Sequence, residues 1–181
     1  TKIPQVIILA GGLGTRLRSL LPHLPKPMAP IQGKPFLAYL IEYLKQQGIQ
    51  HVILSLHYLP EKIQEYFGEQ YQGVEISYSL EATPLGTGGA IAQSLKTANI
   101  SSEDPIWVIN GDSFLSLDFQ SMAQHHREQH SAITLAVSAV EDCQRYGSLE
   151  IESGIITKFR EKDQVGAGWI NAGIYLLQAT V

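Results

Sequence analysis

The segment "QVIILAGGLGTR", Gln5 to Arg16, constrains the fold more than any other stretch of this 181-residue chain. Gln5 to Ala10 is a short, β-branched, apolar run that stops at Gly11 and Gly12. A strand with no polar alternation must be covered on both faces, as in a parallel sheet flanked by helices. A glycine-rich turn directly after such a strand lets backbone N–H groups approach a phosphate. Two common phosphate loops are excluded. The sixth position counted from Gly12 is Leu17, where a dinucleotide fingerprint needs a third glycine, and no Gly-Lys-Ser/Thr comes after it as a P-loop requires. The side chains beyond the turn are basic instead. Arg16 offers a planar fork of donors for phosphate oxygens and Lys26 a mobile point charge.

Charge distribution supports an anionic ligand. No acidic residue precedes Glu42, whereas Lys2, Arg16, Arg18, Lys26 and Lys34 are all basic, giving the N-terminal segment a local positive potential. The whole chain is nonetheless acidic, with 13 basic and 17 acidic residues and a net charge of -4, which argues against a nucleic-acid partner. Cys143 is the single cysteine, so an intrachain disulfide and a cysteine metal cluster are both excluded, and a reducing, cytoplasmic setting fits. The run at Val6 to Ala10 is too short for a membrane span, so no membrane partner is expected.

Periodicity extends the first strand into an α/β alternation. Strands are predicted at His51–Leu56, Val74–Leu80, Pro105–Asn110, Ile133–Val140 and within "GWINAGIYLL". Helices are predicted at Phe36–Gln47, Pro60–Phe67, Thr87–Lys96 and Asp118–His130, and "SLEIESGIITKF" reads as a hairpin turning at Ser153–Gly154. The expectation is one domain over 1–181, with right-handed crossovers and no interdomain linker. Asp112 follows the buried strand "WVIN" at the end where ligands of open α/β sheets bind, although an aspartate after glycine is also ordinary turn chemistry. His125, His126 and His130 fall on one predicted helix without a third ligand pattern, and are read as a solvated face. Cys143, in "EDCQRYG", has no evident base and is read as a loop residue.

"LAGGLGTRLRSLLPHLPKPMAP" resembles the signature of the sugar-1-phosphate nucleotidyltransferases, in which Gly-Gly-x-Gly-Thr-Arg is followed by Pro-Lys-Pro. The resemblance implies a Rossmann-like three-layer α/β sandwich with a mixed, mostly parallel sheet. It also implies that Leu9, Ala10, Gly11, Gly12, Gly14, Thr15 and Arg16 wrap a nucleoside triphosphate, with Arg16 and Lys26 holding the transferring phosphate and pyrophosphate. "LEATPLGTGGAI" is similar to the family's base-recognition segment and adds Glu81, Pro84, Gly86 and Thr87 to the nucleotide site. An ionised carboxylate only accepts hydrogen bonds, and guanine presents two adjacent donors where uracil presents one, so Glu81 leans toward GTP. "NGDSF" matches a family segment that makes Asp112 a Mg²⁺ ligand. "RYGSLEI", "FREK" and "GWINAGIY" resemble its sugar-phosphate segments: Lys162 would grip the sugar phosphate, with Asn110, Tyr146, Gly147, Glu161 and Asn171 around the sugar.

The implied reaction is nucleotidyl transfer, with Arg16, Lys26, Asp112 and Lys162 as the catalytic set. The implied sugar is D-glycero-D-manno-heptose 1-phosphate, for surface glycan assembly, with mannose 1-phosphate or uridylylation of N-acetylmuramate 1-phosphate as alternatives. A reading of another class is a non-catalytic nucleotide-sugar-binding regulatory subunit on the same fold. Family members usually supply a second metal-binding aspartate beyond the strand at Trp169 to Leu177. Its absence before Val181 is read as a missing C-terminal portion.

Overall fold

A computed structural model describes residues 5–12, 14, 22–98, 100, 104–160 and 165–178. The first half alternates as its periodicity predicts: β1 (Gln5–Leu9), α1 (Phe36–Gln46), β4 (His51–Leu56), α2 (Pro60–Phe67), β6 (Val74–Leu80), α3 (Gly86–Thr97) and β7 (Pro105–Asn110). Between them lie short pieces that periodicity over a few residues cannot reveal: a 3₁₀ turn at Lys26–Met28, the two-residue strands β2 (Pro30–Ile31) and β3 (Lys34–Pro35), and β5 (Gln70–Tyr71). The second half contributes α4 (Phe119–Glu128), β8 (Ile133–Val140), β9 (Ser148–Glu152), β10 (Ile155–Arg160) and β11 (Gly168–Gln178).

Nine of these strands form one sheet in the order β10-β9-β11-β7-β1-β4-β6-β5, with β8 also paired to β11. β1 runs parallel to β4 and β7, and β4 parallel to β6. The strands added beyond β7 are antiparallel. The sheet is therefore mixed, with a parallel centre, as expected. Val6 and Ile8 of β1 pack into one buried cluster with residues of α1, α2 and α4, whereas Ile7 joins a second with Ile53, Ile106 and Val108 against Ile91 and Leu95 of α3. One strand feeding two cores explains why its sequence has no polar face, and it makes three layers.

The order of connections matters for the site. From β1 the chain steps outward to β4 and then β6, and returns to β7 on the other side of β1. The carboxyl ends of β1 and β7 therefore diverge at a topological switch point, where ligands of such sheets bind. The hairpin turns where the sequence places it: Glu152 pairs with Ile155, and Ser153 and Gly154 both have positive φ. No helix among the described residues is long and apolar enough to cross a membrane.

The histidine face is a correction. α4 ends at Glu128, which leaves His130 outside it, and His126 is buried with its Nδ1 on the Thr134 hydroxyl at 2.8 Å. An amphipathic helix that packs on β8 must bury one residue per turn, and His126 shares its inner face with Met122. Burial lowers the pKa of both His126 and His51, the latter also bonded to the Ser77 hydroxyl at 2.7 Å. The unfolded chain, with histidines near their ordinary 6.5, then binds protons that the fold resists. Stability contributed by neutral His51 is complete above that value and is lost as pH falls below it. His51→Gln is expected to flatten the decline in melting temperature between about pH 7.5 and 5.5, measured by scanning calorimetry.

Candidate active site

A cleft of about 350 Å³ opens at the switch point. β1 ends in it with Leu9 and the Ala10-Gly11-Gly12 turn, and β7 with Asn110, Gly111 and Asp112. Glu81, directly after β6, lines it as well, with Pro84 and, from the start of α3, Gly86, Thr87 and Ala90. Lys26 and Pro27 enter from the 3₁₀ turn. Residues far apart in sequence thus meet because four parallel strands and their connections all finish at one edge.

The main charged contact in the cleft joins the two segments singled out from sequence. Lys26 Nζ donates to Asp112 Oδ2 at 2.7 Å, with both side chains nearly half exposed. At that exposure an ion pair adds little to stability, so the core does not depend on these charges. Gly14 lies against this lysine, and a Cβ there would sit 3.0 Å from Lys26 Cβ. Glu81 is held differently. Its Oε1 accepts from the Ser55 hydroxyl at 2.9 Å and its Oε2 from the Leu85 N–H at 3.0 Å.

A second concavity of about 320 Å³ is lined by Tyr146, Gly147, Phe159, Arg160 and Asn171, among others. The expected sugar residues are therefore divided: Tyr146, Gly147 and Asn171 belong here, whereas Asn110 belongs to the first cleft. β11 touches both sets of residues, through Asn171 in the second concavity and through Gly173 beside Asn110 of the first. Its register against β8 shifts between Asn171 and Tyr175, and Gly173 lies there with φ of 77°. The Gly173 N–H donates to Asn171 Oδ1 at 2.7 Å, while Asn171 Nδ2 donates to the Tyr175 hydroxyl at 2.7 Å. A Cβ on Gly173 would lie 2.8 Å from Asn110 Nδ2. Gly173→Ala therefore meets both a left-handed backbone and a collision. It is expected to cost about 2 kcal/mol in stability, read from urea midpoints, and to displace Asn110.

Thr15, Arg16, Glu161 and Lys162 lie outside the described residues. Of the other residues expected around the nucleotide, all but Gly14 line the first cleft. Sequence reasoning missed Pro27, Ala90 and Gly111, which line it, and Ser55, which stands behind it. The signal for Ser55 was present as a hydroxyl in the otherwise apolar strand core "VILSL". Cys143 is buried in its loop.

A family model described as "Nucleotidyl transferase" matches residues 5–181. The chain belongs to that family. This nucleotidyl transferase is 46% identical to a D-glycero-alpha-D-manno-heptose 1-phosphate guanylyltransferase of Campylobacter jejuni, over 96% of the chain and 75% of the relative. It is 42% identical to an enzyme of the same description from Aneurinibacillus thermoaerophilus, over 98% of the chain and 76% of the relative. Among solved structures it is similar to HddC from Yersinia pseudotuberculosis complexed with GMP-PN, with a TM-score of 0.84 and 38% identity, covering 98% of this chain and 78% of that one. The fold of the nucleotidyl transferase is accordingly the Rossmann-like one of nucleotide-sugar transferases.

Proposed function

We propose that this nucleotidyl transferase moves GMP from GTP to D-glycero-D-manno-heptose 1-phosphate, forming the nucleotide sugar and releasing pyrophosphate. The observation that carries the proposal is that Glu81, Lys26 and Asp112 line one cleft. A carboxylate suited to guanine's adjacent donors thus shares a cavity with a phosphate-binding cation and a metal-binding oxygen. The heptose relatives point to the same acceptor.

The reaction needs no general base. A phosphate monoester has a second pKa of about 6, so the attacking oxygen is already unprotonated at neutral pH. In-line attack on the α-phosphorus forms one P–O bond as the bond to pyrophosphate breaks. The protein's part is alignment and charge neutralisation. In this reading the Gly11–Gly12 backbone and Gly14 accommodate the triphosphate, Arg16 and Lys26 hold the transferring and departing phosphates, and Lys162 grips the sugar phosphate. Asn110, Tyr146, Gly147, Glu161 and Asn171 surround the sugar.

Asp112 fits a Mg²⁺ carried in with the nucleotide. It presents a half-exposed oxygen-only side chain in the phosphate region of the cleft, and Mg²⁺ takes one or two carboxylates plus phosphates and waters. When bound, the ion would neutralise phosphate charge as it develops. In this reading the enzyme works in the cytoplasm, as the supplier of an activated heptose for surface glycans.

The test is a pyrophosphate-release screen crossing ATP, GTP, CTP and UTP with heptose, mannose, glucose and N-acetylmuramate 1-phosphates in Mg²⁺. GTP with the heptose should dominate. A stronger signal for UTP, or for another sugar, would replace that part of the assignment. Tight nucleotide-sugar binding with no pyrophosphate from any pair would make the protein a binding subunit instead.

A further inference from the structure

Ser55 is fully buried at the penultimate position of β4, on the face turned toward α3, and its hydroxyl donates to Glu81 Oε1. Burying a hydroxyl is unfavourable unless it is hydrogen-bonded, and the neighbouring Val52, Ile53, Leu54 and Leu56 of the same strand are all aliphatic. The backbone of Ser55 is tied to the site as well: its carbonyl accepts from the Ala10 N–H at 2.9 Å, at the start of the glycine turn. Glu81 is then fixed from a second side by the Leu85 N–H on Oε2. A third constraint comes from Gly11, where a Cβ would fall 3.0 Å from Glu81 Oε1. The carboxylate is seated against the phosphate turn with no room for another side chain between them.

This arrangement has a chemical consequence. A carboxylate accepts about four hydrogen bonds, two on each oxygen. Ser55 takes one place on Oε1 and the Leu85 N–H one on Oε2, leaving one acceptor site per oxygen for a pair of adjacent donors. Without the hydroxyl, Oε1 loses the partner that holds the plane of the group, and the side chain must be ordered at the expense of binding.

We infer that Ser55 is a positioning residue for base selection, holding Glu81 so that it reads guanine's N1–H and 2-amino group together. The inference rests on the guanylyltransferase reading above and names the atom pair that makes it selective. Inosine triphosphate isolates the effect, because it keeps N1–H and lacks the 2-amino group. A site built to bond a donor discriminates against the analogue that lacks it.

The experiment measures kcat and KM for GTP and for inosine triphosphate at saturating sugar 1-phosphate, in the wild type, Ser55→Ala and Ser55→Cys. Ser55→Ala is expected to raise KM for GTP about 10-fold with kcat within about twofold, and to shrink the preference for GTP over inosine triphosphate by a similar factor. Ser55→Cys keeps a weaker donor at the same place and should fall between the two. If Ser55→Ala does not fold, Ser55→Cys against wild type decides alone. An unchanged nucleotide preference in the substituted enzymes overturns the inference. So does a parallel fall in kcat for both nucleotides, the signature of a packing role. A wild type that prefers UTP refutes the guanylyltransferase reading itself and this inference with it, whereas a GTP-preferring wild type with unresponsive variants refutes the inference alone.

Discussion

Asp112→Asn is expected to lower turnover by on the order of 10³-fold while leaving the melting temperature almost unchanged. The substitution is nearly isosteric, and its amide oxygen still accepts from Lys26 Nζ, so the half-exposed contact survives as a weaker hydrogen bond. What it removes is the anionic oxygen that the proposed mechanism assigns to Mg²⁺. Neutralisation of phosphate charge by a metal contributes several kcal/mol to such reactions, and each step of about 1.36 kcal/mol is tenfold in rate. Steady-state pyrophosphate release at saturating GTP and sugar 1-phosphate gives the first quantity, and differential scanning fluorimetry the second. A loss below tenfold would remove Asp112 from the metal site. A large loss accompanied by a collapsed melting curve would make it a structural residue at the end of β7.

The separation of activity from stability comes from how the site is assembled, and the same logic explains what was legible in the sequence. β1, β4 and β7 could be read directly because burial on both faces erases polar alternation, and "QVIIL", "HVILSL" and "PIWVIN" show it. Asp112 was legible because it follows such a strand at its carboxyl end, the end that faces ligand in this architecture, and Glu81 because its segment "LEATPLGTGGAI" resembles a base-recognition segment. The contact between Lys26 and Asp112 was not legible. Eighty-six positions separate them, and their meeting depends on β7 returning to lie beside β1, a matter of sheet order that local periodicity does not encode. The split of the expected sugar residues was hidden for a related reason: "INAGIY" reads as an even strand, whereas the register of β11 shifts around Gly173, and Asn171 and Asn110 line different concavities. His126 was misread because the polar run "QHHRE" in α4 looks uniform until one knows which face β8 covers. Local chemistry was written in the sequence; adjacency between distant segments was not.

Lys26→Met tests the other half of the ion pair, and its expected result differs in kind from that of Asp112→Asn. Methionine keeps the length and much of the apolar stem that lies against Gly14, so the 3₁₀ turn at Lys26–Met28 keeps its packing. The loss is the positive charge that the proposed mechanism assigns to phosphate. Removing one preorganised donor to developing charge costs on the order of 10²-fold in turnover, which is the drop expected here. Two further readouts separate this role from a merely structural one. Lys26→Arg restores a cation but replaces a mobile point charge by a rigid fork, and should recover part of the lost rate. Lys26→Met also leaves Asp112 without the cation it holds in the free protein. Mg²⁺ therefore no longer competes with an internal partner for that carboxylate, and the Mg²⁺ concentration giving half-maximal rate should fall as kcat falls. A variant that slows turnover and raises the Mg²⁺ requirement together would contradict the idea that Lys26 exchanges Asp112 for phosphate as the nucleotide binds. It would make the lysine a fixed support of the metal site instead.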